Sequence, residues 1–416
     1  MCVQDGSMDG FDARESARAA LKYTDELIQR FGARLAGSEA GRQAAVQICA
    51  DLSEICGEAQ AEDFKTRPGA FMRFHRVSYF FYVMAIVLLW LRQPFGAALS
   101  FLIVLLIGEL EFGIYKEIVD PLFAKKSCTN VWAALEPQGE AQRQVIISGH
   151  HDSAYELTFL RRHQKLYALK IILPDFFQFL GIVYAWYWAA FRLVTGGDPA
   201  YWSLTVGVIA LGSLCFIPKL FLAAPWGTPG AGDNLIATAI TVELARRLAL
   251  PGQQGKSRLA HTRVIFASFD AEEAGLRGSR IFARRHKAEL QRLPTAMLNI
   301  DSIYKRKEIQ FLSNDLNGTV TLDAEVVAEC LEIAAALGIP ARRMKMVFGG
   351  GATDACELAK VGVQATTLIA MPTGLIRDGL AYHTMNDTVA AIEPEAVEAC
   401  LAIAWQWVCR EKSTSK

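Results

Sequence analysis

Hydrophobic positions along the chain follow different patterns in different regions. From Arg14 to Gly57 they recur at helical spacing, broken by a turn-like stretch at residues 31–38, which predicts two helices joined by a loop. After Asn130, short β-rich runs alternate with helical patterns. This alternation predicts an α/β fold, a three-layer sandwich with a mixed, largely parallel central sheet. Ligand-binding residues should then gather at the carboxyl ends of the strands. The alternating segments are Gln144–Ser148, Asn234–Leu250, Arg263–Phe269, Ser279–Leu290, Ala296–Ile300, Ile309–Ser313, Ala324–Leu337, Thr366–Ala370 and Pro394–Cys409.

Four apolar runs interrupt this alternation in two pairs. The first pair is Val77–Leu91 and Phe95–Ile107, and the second is Phe176–Phe191 and Tyr201–Ile217. Each run falls slightly short of the ~20 residues that a bilayer core needs, but tilt and interfacial aromatic or basic side chains extend it. We therefore expect two inserted α-helical membrane hairpins with about four spans, embedded in a lipid bilayer. The alternative is a pair of buried hairpins or an apolar lid that caps the site.

The hairpins divide the chain into segments and suggest an orientation. Residues 1–66 hold the helical entry and the start of the main domain, 67–126 the first hairpin, 127–153 more of the main domain, 154–229 the second hairpin, and 230–416 the remainder. The hairpin tips carry only Arg92 and Arg192, whereas many basic residues flank the main domain. This positive-inside bias predicts a cytoplasmic main domain. The flanking residues are Arg67, Arg73, Arg76, Lys116, Lys125, Lys126, Arg161, Arg162, Lys165 and Lys170.

Composition narrows the choice of partners and compartment. Lys and Arg together number 43, as do Asp and Glu, so charge gives no reason to expect a nucleic acid partner. The nine cysteines include no Cys-x-x-Cys pair, which favours reduced thiols. Residues Met1–Asp12 lack the basic and apolar stretches of a secretory signal. Oligomeric state cannot be inferred from the sequence.

Five segments end in residues that could bind a metal ion. The strand before His150 places Asp152 two positions later on the same face, where it could orient the imidazole while His151 points away. Asp233 precedes a helical run, so by itself it would be an ordinary helix cap. Glu272 and Glu273 follow another strand, and adjacent carboxylates repel unless a cation is near or one is protonated. The remaining two are Asp301 at a strand end and His383 in a polar loop.

Each segment has a simpler explanation as a solvated loop or cap, but no alternative role requires all five. Two histidines and three carboxylates form a ligand set that suits Zn²⁺. Asp233 would bridge two zinc ions, and Glu272 would remain free to act as the base on the attacking water. The predicted metal ligands are His150, Asp233, Glu273, Asp301 and His383.

The same residues resemble the zinc exopeptidase family that includes bacterial secreted leucyl aminopeptidases, aminopeptidase Y, glutamate carboxypeptidase and glutaminyl cyclase. The resemblance covers most of the chain outside the hairpins. Its motifs stand in the family's order at residues 34–38, 149–153, 232–234, 272–279, 299–301 and 382–384.

The resemblance implies a role for each site residue. His150, Asp233 and Asp301 would hold one zinc, and Asp233, Glu273 and His383 the other. Glu272 would be the general base, and Asp152 would orient His150. The chain departs from the family at residues 235–237, where Leu-Ile-Ala replaces small residues, and at 353–355, where Thr-Asp-Ala keeps only the aspartate of an Asp-His pair. The second departure leaves substrate preference open.

These observations predict a membrane-bound di-zinc exopeptidase that acts on peptides, most of all an aminopeptidase. Two alternatives stay open: a glutaminyl-cyclase-like enzyme with one zinc, and a catalytically inactive membrane scaffold of the same fold. Because the second hairpin lies between His150 and Asp233, we expect the membrane part to border the site and restrict access. The preferred terminal residue and the physiological substrate cannot be read from the sequence.

Overall fold

The computed structural model describes residues 11–162, 164–372 and 380–410. Residues 1–10, most of the stretch predicted to lack a secretory signal, lie outside this part, as does the side chain of Arg162. The chain enters the fold through helices α1 (Ala13–Phe31) and α2 (Glu39–Cys56), as the apolar spacing predicts. Asp12 and Ser38 cap their N-termini by accepting hydrogen bonds from backbone N–H groups.

An eight-stranded mixed sheet forms the centre of the molecule. Its strand order is β1-β2-β6-β3-β7-β12-β8-β11. The four central strands β6, β3, β7 and β12 run parallel. On one side β2 pairs antiparallel with β6, and β1 pairs antiparallel with β2. On the other side β8 pairs antiparallel with β12 and parallel with the edge strand β11. The strand bounds are β1 Ala59–Thr66, β2 Lys126–Leu135, β3 Arg143–His150, β6 Thr262–Phe269, β7 Thr295–Ile303, β8 Ile309–Leu312, β11 Arg342–Met344 and β12 Gln364–Ala370.

Helices cover both faces of this sheet, which completes the predicted three-layer sandwich. One face packs against α1, α8 (Ile236–Leu248), α10 (Ala324–Ala336) and α12 (Pro394–Cys409), and the other against α9 (Arg277–Leu290) and α11 (Ala355–Ala359). The central strands are apolar on both sides because both faces are covered. At Gly149, an added Cβ would lie 2.6 Å from the Ala237 Cβ. Glycine there lets α8 approach β3 directly beside His150.

Both insertions leave the main domain through a pair of antiparallel strands. The first connects β1 to β2, which pair along their whole length from Ala59 opposite Ala133 to Thr66 opposite Lys126. The second connects the short strands β4 (Tyr155–Leu157) and β5 (Ala223–Gly227), which pair with each other. Each insertion therefore returns to its starting point, so the main sheet stays continuous.

The two insertions pack into one bundle of four helices. These are α3 (Phe74–Trp90), α4 (Pro94–Gly108), α6 (Tyr167–Thr195) and α7 (Trp202–Gly212), while the short α5 (Thr158–Arg162) precedes α6. Buried side chains from all four, among them Tyr82, Phe101, Trp188 and Val206, form a common core. At the tips, Asp198 pairs with Arg92 and Arg192 and accepts a hydrogen bond from Trp188 Nε1 at 3.0 Å.

Three stretches of the described residues are long and apolar enough to cross a membrane: Pro94–Gly113, Gln164–Thr195 and Trp202–Phe221. The remaining helix of the bundle, Phe74–Trp90, is apolar but has 17 residues. All four overlap the predicted runs, although α6 begins nine residues before the predicted Phe176 because its first turns are less apolar. Many apolar side chains point outward from the bundle, including Phe179, Trp186 and Leu204.

The described cysteines are all unpaired, in agreement with the prediction of reduced thiols. Five of them, including Cys56, Cys330 and Cys400, are buried in the main domain as small apolar side chains. Cys2 lies outside the described residues.

Candidate metal centre

The candidate ligands meet at the carboxyl edge of three adjacent parallel strands. His150 is the last residue of β3, Asp301 lies near the end of β7, and Glu272 and Glu273 follow β6. Asp233 and His383 reach the same place from loops before α8 and α12. The strand register explains this convergence, since the ends of neighbouring parallel strands lie side by side.

Two groups of three potential ligands share Asp233. One consists of His150, Asp233 and Asp301, the other of Asp233, Glu273 and His383, and in each group one ligand atom per residue lies within 4.8 Å of the others. Asp233 Oδ1 faces His150 Nε2 at 3.6 Å, whereas its Oδ2 faces His383 Nε2 at 2.9 Å. The two carboxylate oxygens thus face two different imidazoles, which is the arrangement expected of a ligand that bridges two metal ions.

Several of these atoms are buried and make no hydrogen bond to any residue that the structure describes. They are His150 Nε2, Asp233 Oδ2 and Glu273 Oε1. A buried polar atom without a partner is costly, so such atoms in native proteins call for a ligand or an ion. Imidazole nitrogens together with carboxylate oxygens suit zinc, and the residues therefore fit this metal.

Glu272 stands apart from the two groups that share Asp233. Its Oε2 lies 3.7 Å from His150 Nε2, and its side chain is 10% exposed, whereas that of His150 is 1% exposed. With Glu273 it forms a third possible group around His150. Glu272 thus borders the candidate ligands and keeps a small exposed fraction, similar to the 13% of Glu273 and of His383.

Asp152 holds His150 and the Glu272–Glu273 turn together. His150 Nδ1 lies 3.1 Å from the Asp152 carbonyl oxygen and 3.4 Å from its carboxylate. The Asp152 carboxylate accepts hydrogen bonds from the backbone N–H of Glu272 at 3.1 Å and of Glu273 at 3.2 Å. A proton on Nδ1 would leave Nε2 free for a metal ion. His151 points the other way, toward Ser268 Oγ at 2.9 Å, and is buried.

The loop that carries Asp233 is held by Asp387. The Asp387 carboxylate accepts hydrogen bonds from Gly232 N at 2.8 Å and Asp233 N at 3.3 Å. Asp233 does not cap a helix, because α8 begins at Ile236 without a side-chain cap. Ser302 Oγ lies within hydrogen-bonding distance of both Asp233 Oδ1 and Asp301 Oδ1. The structure thus excludes the simpler capping role and turns this carboxylate toward the other ligands.

Arg34 connects loops of the site through hydrogen bonds to their backbone. Its buried guanidinium donates to the carbonyl oxygens of His151, Gly230 and Pro229 at 2.9–3.0 Å. Burial lowers its pKa to about 10. The sequence marks Arg34 as part of a family motif, but its partners could not be identified before the loops were placed.

Two further residues stand in segments that the sequence analysis compared with the family, but without a role assigned to them. Asp354 is buried, and among the described residues neither of its carboxylate oxygens has a hydrogen-bond donor. Burial raises its pKa to about 7, and the nearby Asp152 acts in the same direction. Tyr382 stacks on the His383 ring with centroids 3.8 Å apart. Both belong to segments compared with the family, yet only their position in the fold shows their contacts with the site.

The site holds more carboxyl groups than can be charged at neutral pH without cations. Burial raises the pKa of Glu272 well above its usual value, that of Glu273 to about 7 and that of Asp301 to about 8. Burial would lower the pKa of His383, but Glu273 and Asp233 raise it to about 10. Divalent cations would balance this concentration of negative charge.

Comparison with known proteins agrees with this geometry. The model of peptidase family M28 matches residues 216–408, a region that contains Asp233, Glu272, Glu273, Asp301 and His383. The predicted resemblance to the zinc exopeptidase family is thereby confirmed. The chain has the fold of the zinc-dependent M28 peptidases. No curated protein matches the chain in a sequence search.

Solved structures with a similar fold include enzymes of two activities. A zinc aminopeptidase from Bacillus subtilis is similar with a TM-score of 0.55 at 14% identity, over 96% of each chain. A glutaminyl cyclase from Fimbriiglobus ruber has the same TM-score and identity over 98% of each chain. A Zn-dependent exopeptidase from Parabacteroides distasonis has a TM-score of 0.53 at 13% identity, over 95% of this chain and 98% of the other. At these identities the likeness shows the fold alone.

Proposed function

We propose that this chain is a membrane-embedded di-zinc aminopeptidase. The observation that carries the proposal is the pair of ligand groups that share Asp233, with Glu272 beside them. His150, Asp233 and Asp301 would hold one zinc, and Asp233, Glu273 and His383 the other. Zinc bound there supplies a Lewis acid that polarises the scissile carbonyl and lowers the pKa of the attacking water.

Glu272 is the proposed general base. It takes a proton from the attacking water as the new carbon–oxygen bond forms, and it passes this proton to the amine as the carbon–nitrogen bond breaks. Asp152 supports this step because it binds the backbone N–H of Glu272 and also holds His150. Peptide bond hydrolysis therefore needs no further proton donor from the protein.

The charge of the site favours a free amino end over a carboxyl end. After burial, the causes that raise the pKa of Glu272 include the carboxyl of Asp354, which belongs to neither ligand group and would keep its charge free when both metals are bound. Carboxyls attract the ammonium group of a peptide and repel a carboxylate. Arg34 cannot serve as a carboxylate anchor, because its donors bind backbone carbonyls.

The apolar bundle supports insertion in a bilayer. Its outward-facing Phe179, Trp186 and Leu204 are at least half exposed, which is unfavourable in water but expected against lipid. Among the described residues, the base of this bundle reaches the site: Leu222 and Ile171 belong to one apolar cluster with Tyr382, the neighbour of His383. Together with the basic flanks, this supports a cytoplasmic site next to the membrane surface.

A peptide panel with purified full-length protein tests the activity. We expect cleavage of peptides with a free amino end, including carboxyl-amidated ones, and no cleavage of N-acetylated ones. Chelation should abolish turnover and zinc should restore it. Equal cleavage of N-acetylated peptides would contradict the proposal, and so would the absence of any hydrolysis, which would favour an inactive scaffold.

Substitution of the base gives a second test. Glu272→Gln should lower kcat by about 10²–10⁴-fold, the usual contribution of a general base, while the zinc content stays at the wild-type level. An unchanged kcat would exclude Glu272 from proton transfer.

Glutaminyl cyclase chemistry is the second candidate, because the fold matches a cyclase as well as it matches an aminopeptidase. Its signature would be ammonia release from peptides with N-terminal glutamine, with one zinc per chain. Hydrolysis with two zinc ions per chain would reject it.

A further inference from the structure

We propose that Tyr115, which the first insertion carries, is a substrate-binding residue whose phenol donates a hydrogen bond to the peptide beside Glu272. This inference rests on the proposed function and adds to it a residue from outside the ligand set. Tyr115 lies just after the last turn of the apolar α4 segment and before β2. The membrane insertion and the hydrolytic site would then share a residue.

One side of the Tyr115 ring packs against the loop that follows the two glutamates. Tyr115 and Phe71 contact each other edge to face with ring centroids 4.7 Å apart. Phe71 in turn lies against Gly275, where an added Cβ would be 3.1 Å from the Phe71 ring. Tyr115 also shares a buried cluster with Leu276. Its position is therefore set by the segment that begins with Glu272 and Glu273.

The other side of Tyr115 is bounded by the glycine-rich loop that leads to Asp354. An added Cβ at Gly351 would lie 3.8 Å from the Tyr115 hydroxyl. Asn317 fixes this loop, because its Oδ1 accepts hydrogen bonds from Gly349 N at 3.0 Å and Gly351 N at 3.1 Å. The same side chain donates from Nδ2 to the Phe112 carbonyl at 2.6 Å. Asn317 therefore joins the end of the insertion to the active-site loop.

The backbone at Tyr115 has a conformation that bulky residues rarely adopt. Its φ is +53°, in the left-handed region, and it follows a π-helical turn at Glu109–Gly113. Such conformations persist where the surrounding structure enforces them and are concentrated at functional sites. Here the contacts with Phe71 and Leu276 hold the ring in place.

The Tyr115 hydroxyl is available to a ligand. It makes no hydrogen bond within the described part of the chain, and it is not among the buried, unpartnered tyrosine hydroxyls of that part, which belong to Tyr82, Tyr184 and Tyr304. Burial raises the pKa of Tyr115 well above its usual value, and the next contribution in the same direction comes from the charge of Glu272. The phenol therefore remains a hydrogen-bond donor. Leu276, which shares a buried cluster with Tyr115, donates from its backbone N–H to the Glu272 carbonyl at 2.8 Å, so the ring lies beside the turn that carries Glu272.

The test compares Tyr115→Phe with Tyr82→Phe in the purified full-length protein. Tyr82 is a suitable control, because it lies in the helical bundle and its buried hydroxyl has no hydrogen-bond partner in the part of the chain that the structure describes. We expect Tyr115→Phe to lower kcat/KM for free-amino peptides by about 10–100-fold, the effect of one lost hydrogen bond to a polarised or charged group. Zinc content and thermal stability should stay at the wild-type level, and Tyr82→Phe should lie within about twofold of wild type.

A binding measurement separates failure of this inference from failure of the proposed function. The affinity for a phosphinic dipeptide analogue, measured by titration calorimetry, should fall about tenfold in Tyr115→Phe. An inactive wild type that binds the analogue would count against the peptidase function alone. Equal affinity and kcat/KM values in wild type and Tyr115→Phe would overturn the role of Tyr115. Loss of zinc from Tyr115→Phe would also overturn it, since the residue would then belong to the framework of the metal site.

Discussion

Asp152 and Asp387 position the candidate ligands from opposite sides of the site without belonging to either ligand group. Asp152 binds His150 and the backbone of the two glutamates, and Asp387 binds the backbone of Asp233. Such groups fix the orientation of ligands, and their loss usually weakens metal binding by about 10–100-fold. The role of Asp152 proposed from the sequence, to orient His150, is therefore only part of what its contacts allow.

At this scale we predict that Asp152→Asn weakens zinc binding by about 10–100-fold. The amide removes a negative charge and can accept from only one of the two N–H groups that the carboxylate serves. Competition with a chromophoric chelator measures the affinity, and the exposed Asp25→Asn in α1 is the control. Zinc affinity equal to that of the control would show that the Asp152 carboxylate is dispensable.

Helices and strands whose hydrophobic residues recur with a clear period could be predicted from the sequence, whereas elements that lack such a period could not. Helix α12 spans the predicted Pro394–Cys409, and the central strands β3, β6 and β7 lie within two or three residues of their predicted bounds. Strand β1 was missed because Ala59–Thr66 is an edge strand whose side chains are mostly polar and only partly buried. Strands β4 and β5 were missed because three and five residues are too short to show alternation.

The ligands could be found from the sequence because each follows an apolar run or stands in a family motif. The contacts of Asn317 and Asp387 could not be found, because both lie in loops whose partners are distant in sequence. The prediction that the second insertion leaves and re-enters near the metals follows from sequence order alone. Only the structure shows that this insertion begins and ends in a pair of antiparallel strands.

For the helical bundle we predict that Trp188→Ala lowers the melting temperature of the detergent-solubilised protein more than Trp186→Ala. Trp188 is buried between the helices and donates a hydrogen bond from Nε1 to Asp198 Oδ1, whereas Trp186 is 52% exposed on the outer face of the same helix. Removal of a buried indole leaves a cavity that lipid or detergent cannot fill, and such truncations cost about 3–5 kcal/mol in soluble proteins. Equal melting temperatures of the two variants would contradict the packing of the bundle.

On the scale of the whole molecule, the hairpin tips and the main domain lie at opposite ends of the bundle. The tips hold Arg92, Arg192 and Asp198, while the basic flanks surround the main domain. A bundle that spans the bilayer would therefore place the tips and the site in different compartments.

This orientation predicts the accessibility of introduced cysteines in intact cells. Gly197→Cys at the exposed tip should react with a membrane-impermeant maleimide, whereas Glu140→Cys in the main domain should react only after permeabilisation. The unsubstituted chain gives the background from its own cysteines. The reverse pattern would place the site outside the cytoplasm, and reaction of both positions would contradict a spanning bundle.

The central claim is that separate parts of the chain converge around two metal ions bridged by Asp233. Zinc quantification by mass spectrometry on purified wild-type protein and on Asp233→Asn, with Asp25→Asn as control, tests it most directly. The account predicts two zinc ions per chain in wild type and control, and fewer than one in Asp233→Asn, since both groups lose a ligand. One zinc or none in wild type, or a content unchanged in Asp233→Asn, would contradict it.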